Sequence, residues 1–294
     1  MTRTMNDIRK DIDTVDQQIH DLLMKRAGLA LEVGAEKKKN DLPMIQPDRE
    51  ASKIRSILSR HSGDLPQNLI VRLWREMIGA ASILQTRMKV AVVAPAQNAR
   101  EHWDMARDYF GSVIPMQDMA NPLVAISALR EGDVNFAVLP WPEDGVENPW
   151  WCHMTGNDTT QNVQIVVSLP YIVSAGQGQP EYRAVILSKA LFKDSGSDNS
   201  FIFLDLDQVV SRARVVDKAK ALNFDALSIN SRKIKPTQTR SQHLLEVEGY
   251  VSADDPRLAQ LLEKLESPDG KCILLGGYPL IAAQAAQAKN KKTA

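Results

Sequence analysis

The chain opens on a helical repeat. From Ile8 the apolar positions continue at Ile12, Val15, Ile19 and Leu22, in alternating steps of four and three that trace one stripe along a helix. The same steps lead on to Arg26, Leu29, Val33 and Lys37, so two cations interrupt a stripe that should face a core. Either the helix drifts and long side chains reach out to water, or both cations point into a cavity that holds an anion. The pattern predicts a first helix over about residues 6–39, a break at Asp41-Leu42-Pro43, a second helix over 47–61 with Pro47 in a first helical position, and a third over 66–87. At 1.5 Å per residue the first helix would be about 50 Å long. Three helices, one so extended, cannot bury that stripe alone, and an intertwined homodimer is expected to cover it.

At Met88 the period changes. KVAVVAP is a short apolar run bounded by turn residues, NAREHWDMARDYFG reads as a helix, and GDVNFAVLP, NVQIVVSLPYIV and YRAVILSK read as further strands. Strands alternating with a helix predict an α/β unit with a parallel sheet. DSGSDNS, residues 194–200, has the small polar composition of a linker. Beyond it come SFIFLDL, a helix over about 210–222, DALSINSRKI, HLLEVEGYV, a helix over about 257–265, and KCILLGGYPL. That βαββαβ order predicts a ferredoxin-like sandwich. The expected organisation is α plus α/β: a helical domain over 1–87, an α/β lobe over 88–193, a ferredoxin-like unit over 194–282 and a frayed tail over 283–294.

Composition narrows the function classes. Lys plus Arg (36) balances Asp plus Glu (36), so no global field favours nucleic acid or an anionic membrane, and recognition of charge must be local. MTRTMNDIRKDID lacks the apolar core of a signal peptide, and no run of about 18 apolar residues appears, so a cytoplasmic protein is expected. Cys152 and Cys272 stand too far apart for a disulfide framework or a four-ligand zinc site. Cys152-His153 is half a metal site without a second pair, and no metal or cofactor is expected. Trp150 and Trp151 have no basic patch around them, and Gly276-Gly277 lacks the helix start of a phosphate loop.

In the helical domain, charged and amide residues accumulate on or beside the apolar stripes: Arg9 next to Ile8, Arg26 and Lys37 on the first stripe, Glu50 four before Ile54, and Gln85 four after Ala81. Together they describe a polar pocket between helices with cations in excess, which suits a small polyanion. IRKDIDTVDQQIHDLLMKRAGLALEVGAEKKK, PDRE and VRLWREMIGAASILQ, in order and nearly without gaps, resemble the all-helical chorismate mutase family over residues 6–87. Arg9, Arg26, Lys37, Arg49, Glu50 and Gln85 stand where that family has its functional side chains, while Gln46 replaces a common Asp and Ala81 a common Ser.

The resemblance implies rearrangement of chorismate to prephenate, a pericyclic shift that needs no nucleophile, metal or proton relay. Arg26 and Arg9 would each grip a carboxylate of the substrate, Arg9 from the other subunit of a homodimer. Lys37 and Gln85 would donate to the ether oxygen, Glu50 would accept from the ring hydroxyl, and Arg49 would position Glu50 or the substrate. Gln46 and Ala81 would contact the substrate.

The rest of the chain is similar, more faintly, to the dehydratase and ACT regions of bifunctional mutase-dehydratases, in which the α/β part belongs to a periplasmic-binding-like architecture. Here that part is truncated. The Thr-Arg-Phe signature is Tyr182-Arg183-Ala184 and the Gly-rich first loop is APAQNARE, so no dehydratase activity is expected and Arg183 is read as a relic. INSRKI and LLGGYPL occupy the places of ACT motifs, with Val210-Ser211-Arg212 replacing the glycine-containing effector loop. An amino-acid effector such as phenylalanine, or a purely structural or dimerising role, remain as two readings of that unit. A bifunctional enzyme and a non-catalytic regulatory dimer are the alternatives for the whole.

Overall fold

The computed structural model describes residues 3–40, 45–155, 163–172, 180–232 and 239–281. The expected turn at Asp41-Leu42-Pro43 and the expected frayed tail lie outside the described residues. Three helices come first: α1 (Met5–Lys39), α2 (Pro47–Leu58) and α3 (Gln67–Gln85). A capping box opens α1, Thr4 and Asp7 satisfying each other's backbone N–H, and Lys37, Lys38 and Lys39 occupy its last turn, where the helix dipole favours cations. Pro47 starts α2, with Asp48 and Glu50 in the first turn where a carboxylate is favoured.

The elements that follow are β1 (Val90–Val92), α4 (Ala99–Phe110), β2 (Met116–Asp118), α5 (Pro122–Glu131), β3 (Phe136–Pro140), β4 (Gln164–Leu169) and β5 (Ala184–Ser188). After these come β6 (Asp198–Leu206), α6 (Arg212–Lys220), β7 (Ala226–Ser231), β8 (Ser241–Glu248), α7 (Pro256–Lys264) and β9 (Lys271–Pro279). Among the described residues, all strands join one sheet in the order β2-β1-β3-β5-β4-β9-β6-β8-β7. The order β9-β6-β8-β7 of its antiparallel end is that of a ferredoxin-like βαββαβ unit.

Two expectations are corrected. The α/β part is not a parallel sheet: β2, β1 and β3 are parallel, but β5 runs antiparallel to both β3 and β4. DSGSDNS is not a linker throughout, because Asp198, Asn199 and Ser200 are buried at the start of β6, Asp198 paired to β9 and Asn199 and Ser200 to both β8 and β9. Small polar side chains fit there because the backbone ladder, not side-chain apolarity, secures the strand. β2 and α5 went unanticipated; MQD is too short and polar to read as a strand.

Gly276 and Gly277 have a structural reason. Gly276 has φ of +102°, and a Cβ there would sit 2.2 Å from the carbonyl oxygen of Ile165; one at Gly277 would sit 2.2 Å from that of Asn199. The pair lets β9 pass between β4 and β6, fusing the lobe and the ferredoxin-like unit into one sheet.

The helical domain is docked on the lobe. Ala51, Ile54, Ile57 and Leu58 of α2 and Ile70 and Val71 of α3 share a core with Tyr109, Phe110, Val166, Leu169 and Tyr171. Gly79 permits a close backbone approach, since a Cβ there would lie 2.2 Å from the carbonyl oxygen of Phe110. The first half of α1 has no such cover: residues 3–25 are all exposed, with Ile12, Val15, Ile19 and Leu22 each about half exposed or more.

Candidate active site

A cavity of about 480 Å³ opens between the three helices. From α1 it is lined by Arg26, Leu29, Ala30, Val33 and Lys37; from α2 by Arg49, Glu50 and Lys53, with Gln46 just before that helix; and from α3 by Ile78, Ala81, Ser82 and Gln85. Seven of the eight residues singled out from sequence therefore meet on one cavity. The eighth, Arg9, is exposed and lies seventeen positions before Arg26 on the same helix, about 25 Å along its axis.

Local contacts fix several of these groups. The Arg26 guanidinium donates through Nη1 to the carbonyl oxygen of Met77 (3.1 Å), which ties α1 to α3 and leaves its other N–H groups for a ligand. Gln85 Nε2 donates to the carbonyl oxygen of Ala30 (2.7 Å). That acceptor sets the amide orientation, and the second N–H of Nε2 remains to donate. Gly34 makes this approach possible, because a Cβ there would lie 2.8 Å from Gln85 Cγ. Ser82, beside the alanine that replaces a common serine, spends its hydroxyl on the carbonyl oxygen of Ile78 (2.9 Å). Gln46 Oε1 is buried with no hydrogen-bond partner among the described residues.

The electrostatics favour an anion. Arg26, Lys37, Arg49 and Lys53 line the cavity against one carboxylate, Glu50. Burial lowers the pKa of both Arg26 and Lys37; the field of Arg49 lowers Lys37 further, and Glu50 opposes it. Two partly desolvated cations facing a common void gain by admitting a compact polyanion.

Glu50 is held by a residue that the sequence did not single out. Arg75 Nη1 lies 2.6 Å from Glu50 Oε2, and Arg75 is 3% exposed. Burial works to lower the Arg75 pKa, but Tyr109, Glu50 and Tyr171 outweigh it and raise it above the ordinary value. Arg49, expected to position Glu50 or the substrate, is exposed on the cavity wall, and the ion pair to Glu50 is made by Arg75. Lys53 and Ser82 were also missed; both follow from the i+3 and i+1 neighbours of residues already identified, but periodicity alone does not say which neighbour turns inward.

Elsewhere, Trp150 and Trp151 are buried. Arg183 stacks 3.3 Å from the centroid of the Trp141 ring. Among the described residues no cluster of three His, Cys, Asp or Glu side chains could hold a metal ion, and no helix is long and apolar enough to cross a membrane.

The family model for chorismate mutase type II matches residues 8–86. A bifunctional chorismate mutase/prephenate dehydratase of Aquifex aeolicus is 29% identical over 190 residues, 56% of this chain and 52% of that protein. The T-protein of Enterobacter agglomerans is 36% identical over 81 residues, 26% of this chain and 22% of that protein. Among solved structures, a prephenate dehydratase from Streptococcus mutans superposes with 16% identity and a TM-score of 0.44, covering 66% of this chain and 100% of that one. The chain spans 52%, 37% and 37% of the length of three bifunctional relatives that it matches. The cavity lies within the matched segment, and residues 8–86 are a chorismate mutase type II domain.

Proposed function

We propose that the protein is a homodimeric chorismate mutase, converting chorismate to prephenate by an intramolecular rearrangement in aromatic amino acid biosynthesis. The observation that carries this is the convergence of Arg26, Lys37, Glu50 and Gln85 on one cavity with cations in excess. The site has to hold a dicarboxylate in its folded conformer and stabilise charge that grows on the ether oxygen as its bond to carbon breaks. Arg26 grips one carboxylate with the fork left free by its Met77 contact. Lys37 and the second N–H of Gln85 donate to the ether oxygen, where a preorganised donor is worth about 3 kcal/mol. Glu50 accepts from the ring hydroxyl, and the unpaired Gln46 Oε1 is a further acceptor for it. No bond is made to the protein at any step.

Arg9 takes the second carboxylate from the partner subunit. The uncovered apolar stripe of α1 supports this, because a second copy laid along it would bury Ile12, Val15, Ile19 and Leu22 and bring the partner's N-terminal half to the cavity. The two free cysteines suit a reducing, cytoplasmic setting. Following chorismate loss with the purified chain tests the assignment: turnover that collapses in Arg26→Ala and Lys37→Ala is expected, and no turnover by the wild type would overturn it.

For the remainder we favour a lobe without dehydratase chemistry. The guanidinium of Arg183, the one retained position of the signature, is spent on the Trp141 ring. In the ferredoxin-like unit, a structural role is favoured over effector binding, because the positions that would serve an effector are used within the chain. Arg212 pairs with Asp144 (2.5 Å), the Ser231 N–H donates to Asp144 (2.9 Å), and Arg232 donates to Glu147 and Gln242. Phenylpyruvate formed from added prephenate, or a thermal shift with phenylalanine, would reverse these two readings respectively.

A further inference from the structure

Arg75 takes no part in the rearrangement just described, yet it is the link between the mutase cavity and the lobe. Its Nη1 donates to Glu50 Oε2 at 2.6 Å, and its Nε donates to the carbonyl oxygen of Tyr109 at 2.6 Å. The guanidinium carbon lies 3.7 Å from the centroid of the Tyr109 ring and 5.4 Å from that of Tyr171. Those two rings meet edge to face at 5.0 Å. Tyr109 belongs to α4 and Tyr171 follows β4, so both come from the lobe. At the next position, Glu76 accepts from the N–H and hydroxyl of Ser112 (2.9 and 3.0 Å), which clamps α3 to the end of α4.

A buried ion pair is a poor way to gain stability, since well-packed apolar residues of the same volume do as well or better. It is a good way to fix the direction of a carboxylate, because a planar guanidinium stacked on a ring and bonded at Nε has little freedom left. Glu50 needs such a tether. It shares its cavity with Arg26, Lys37, Arg49 and Lys53, and an unheld carboxylate would swing onto those cations and neutralise the groups a dianion requires.

We propose that Arg75 is a positioning residue through which the α/β lobe, by Tyr109 and Tyr171, holds Glu50 in place, so that the lobe is a working part of the mutase site. This rests on the mutase reading above, and predicts that a lobe residue outside the cavity governs substrate binding within it.

The test is steady-state kinetics on the full chain for wild type, Arg75→Met, Arg75→Lys, Tyr109→Leu, Glu50→Gln and the Arg75→Met/Glu50→Gln double variant, with thermal melting as a check on folding. Arg75→Met is expected to raise KM for chorismate about tenfold or more, the cost of one misplaced charged hydrogen bond, with a smaller change in kcat. Arg75→Lys should recover part of that loss, and Tyr109→Leu should raise KM in the same direction. In the Glu50→Gln background Arg75→Met should add little, because both act through one group. If Arg75→Met does not fold, Arg75→Lys and Tyr109→Leu carry the test. No turnover by the wild type removes the mutase reading and this inference together. Turnover in which the Arg75 and Glu50 effects multiply independently, or folded Arg75→Lys and Tyr109→Leu proteins with wild-type KM, overturns this inference alone.

Discussion

Replacing Lys37 by methionine keeps the stem and removes the ammonium, and activity should then collapse while stability barely changes. Lys37 lines the cavity from the last turn of α1. As a preorganised donor to the breaking ether bond, its loss should lower kcat by about 100- to 1000-fold. For stability, the folded-state pKa of Lys37 lies below its ordinary value because of burial first and Arg49 second. A depressed lysine pKa means that folding disfavours the charged form. The penalty is fully present at neutral pH and is relieved as pH rises through the folded value toward 10.5, the unfolded one. Methionine removes the penalty at every pH. Because Lys37 is only partly buried and its charge is favoured at the C-terminus of α1, the relief is largely offset and the melt should barely move. The assay is chorismate loss beside a thermal melt at pH 7. A kcat within tenfold of wild type, or a melt lowered by several degrees, would show a structural lysine and refute the assignment.

The pH profile should be flat between 6 and 8, because Gln85 donates without titrating, and should decline on the alkaline side below 10.5 as Lys37 loses its proton; a collapse between 6 and 8 would contradict the role of Gln85. Mixing Arg9→Ala and Arg26→Ala proteins after subunit exchange should restore about a quarter of the sites, since half the dimers are mixed and each has one intact site; zero recovery counts against Arg9 crossing the interface. Gly79→Ala should shift the urea midpoint downward by roughly 1–3 kcal/mol of stability, its Cβ meeting backbone rather than a yielding side chain and outweighing the gain in helix propensity. An unchanged midpoint would mean that the α3–α4 contact is looser than described.

The amphipathic period of α1, the proline start of α2 and the cations on the apolar stripe are local properties of the chain, and they were enough to place three helices and to single out Arg26, Lys37, Glu50 and Gln85, while Gln46, Arg49 and Ala81 came from the family resemblance. The ferredoxin-like order was legible for the same reason, since each strand and helix carries its own period. What periodicity cannot carry is the identity of the neighbour. Trp74-Arg75-Glu76 reads as an ordinary helix segment; only docking on Tyr109 and Tyr171 turns Arg75 into a buried holder of Glu50. Gly79, Gly276 and Gly277 have no period at all, and each matters because a backbone carbonyl from a distant element passes where a Cβ would be. Asn199 and Ser200 look like linker until two strands close on either side. Local sequence thus determined which elements form and which side chains could bind an anion. Tertiary packing decided how those side chains are held, because burial and partner choice depend on residues far apart in the chain.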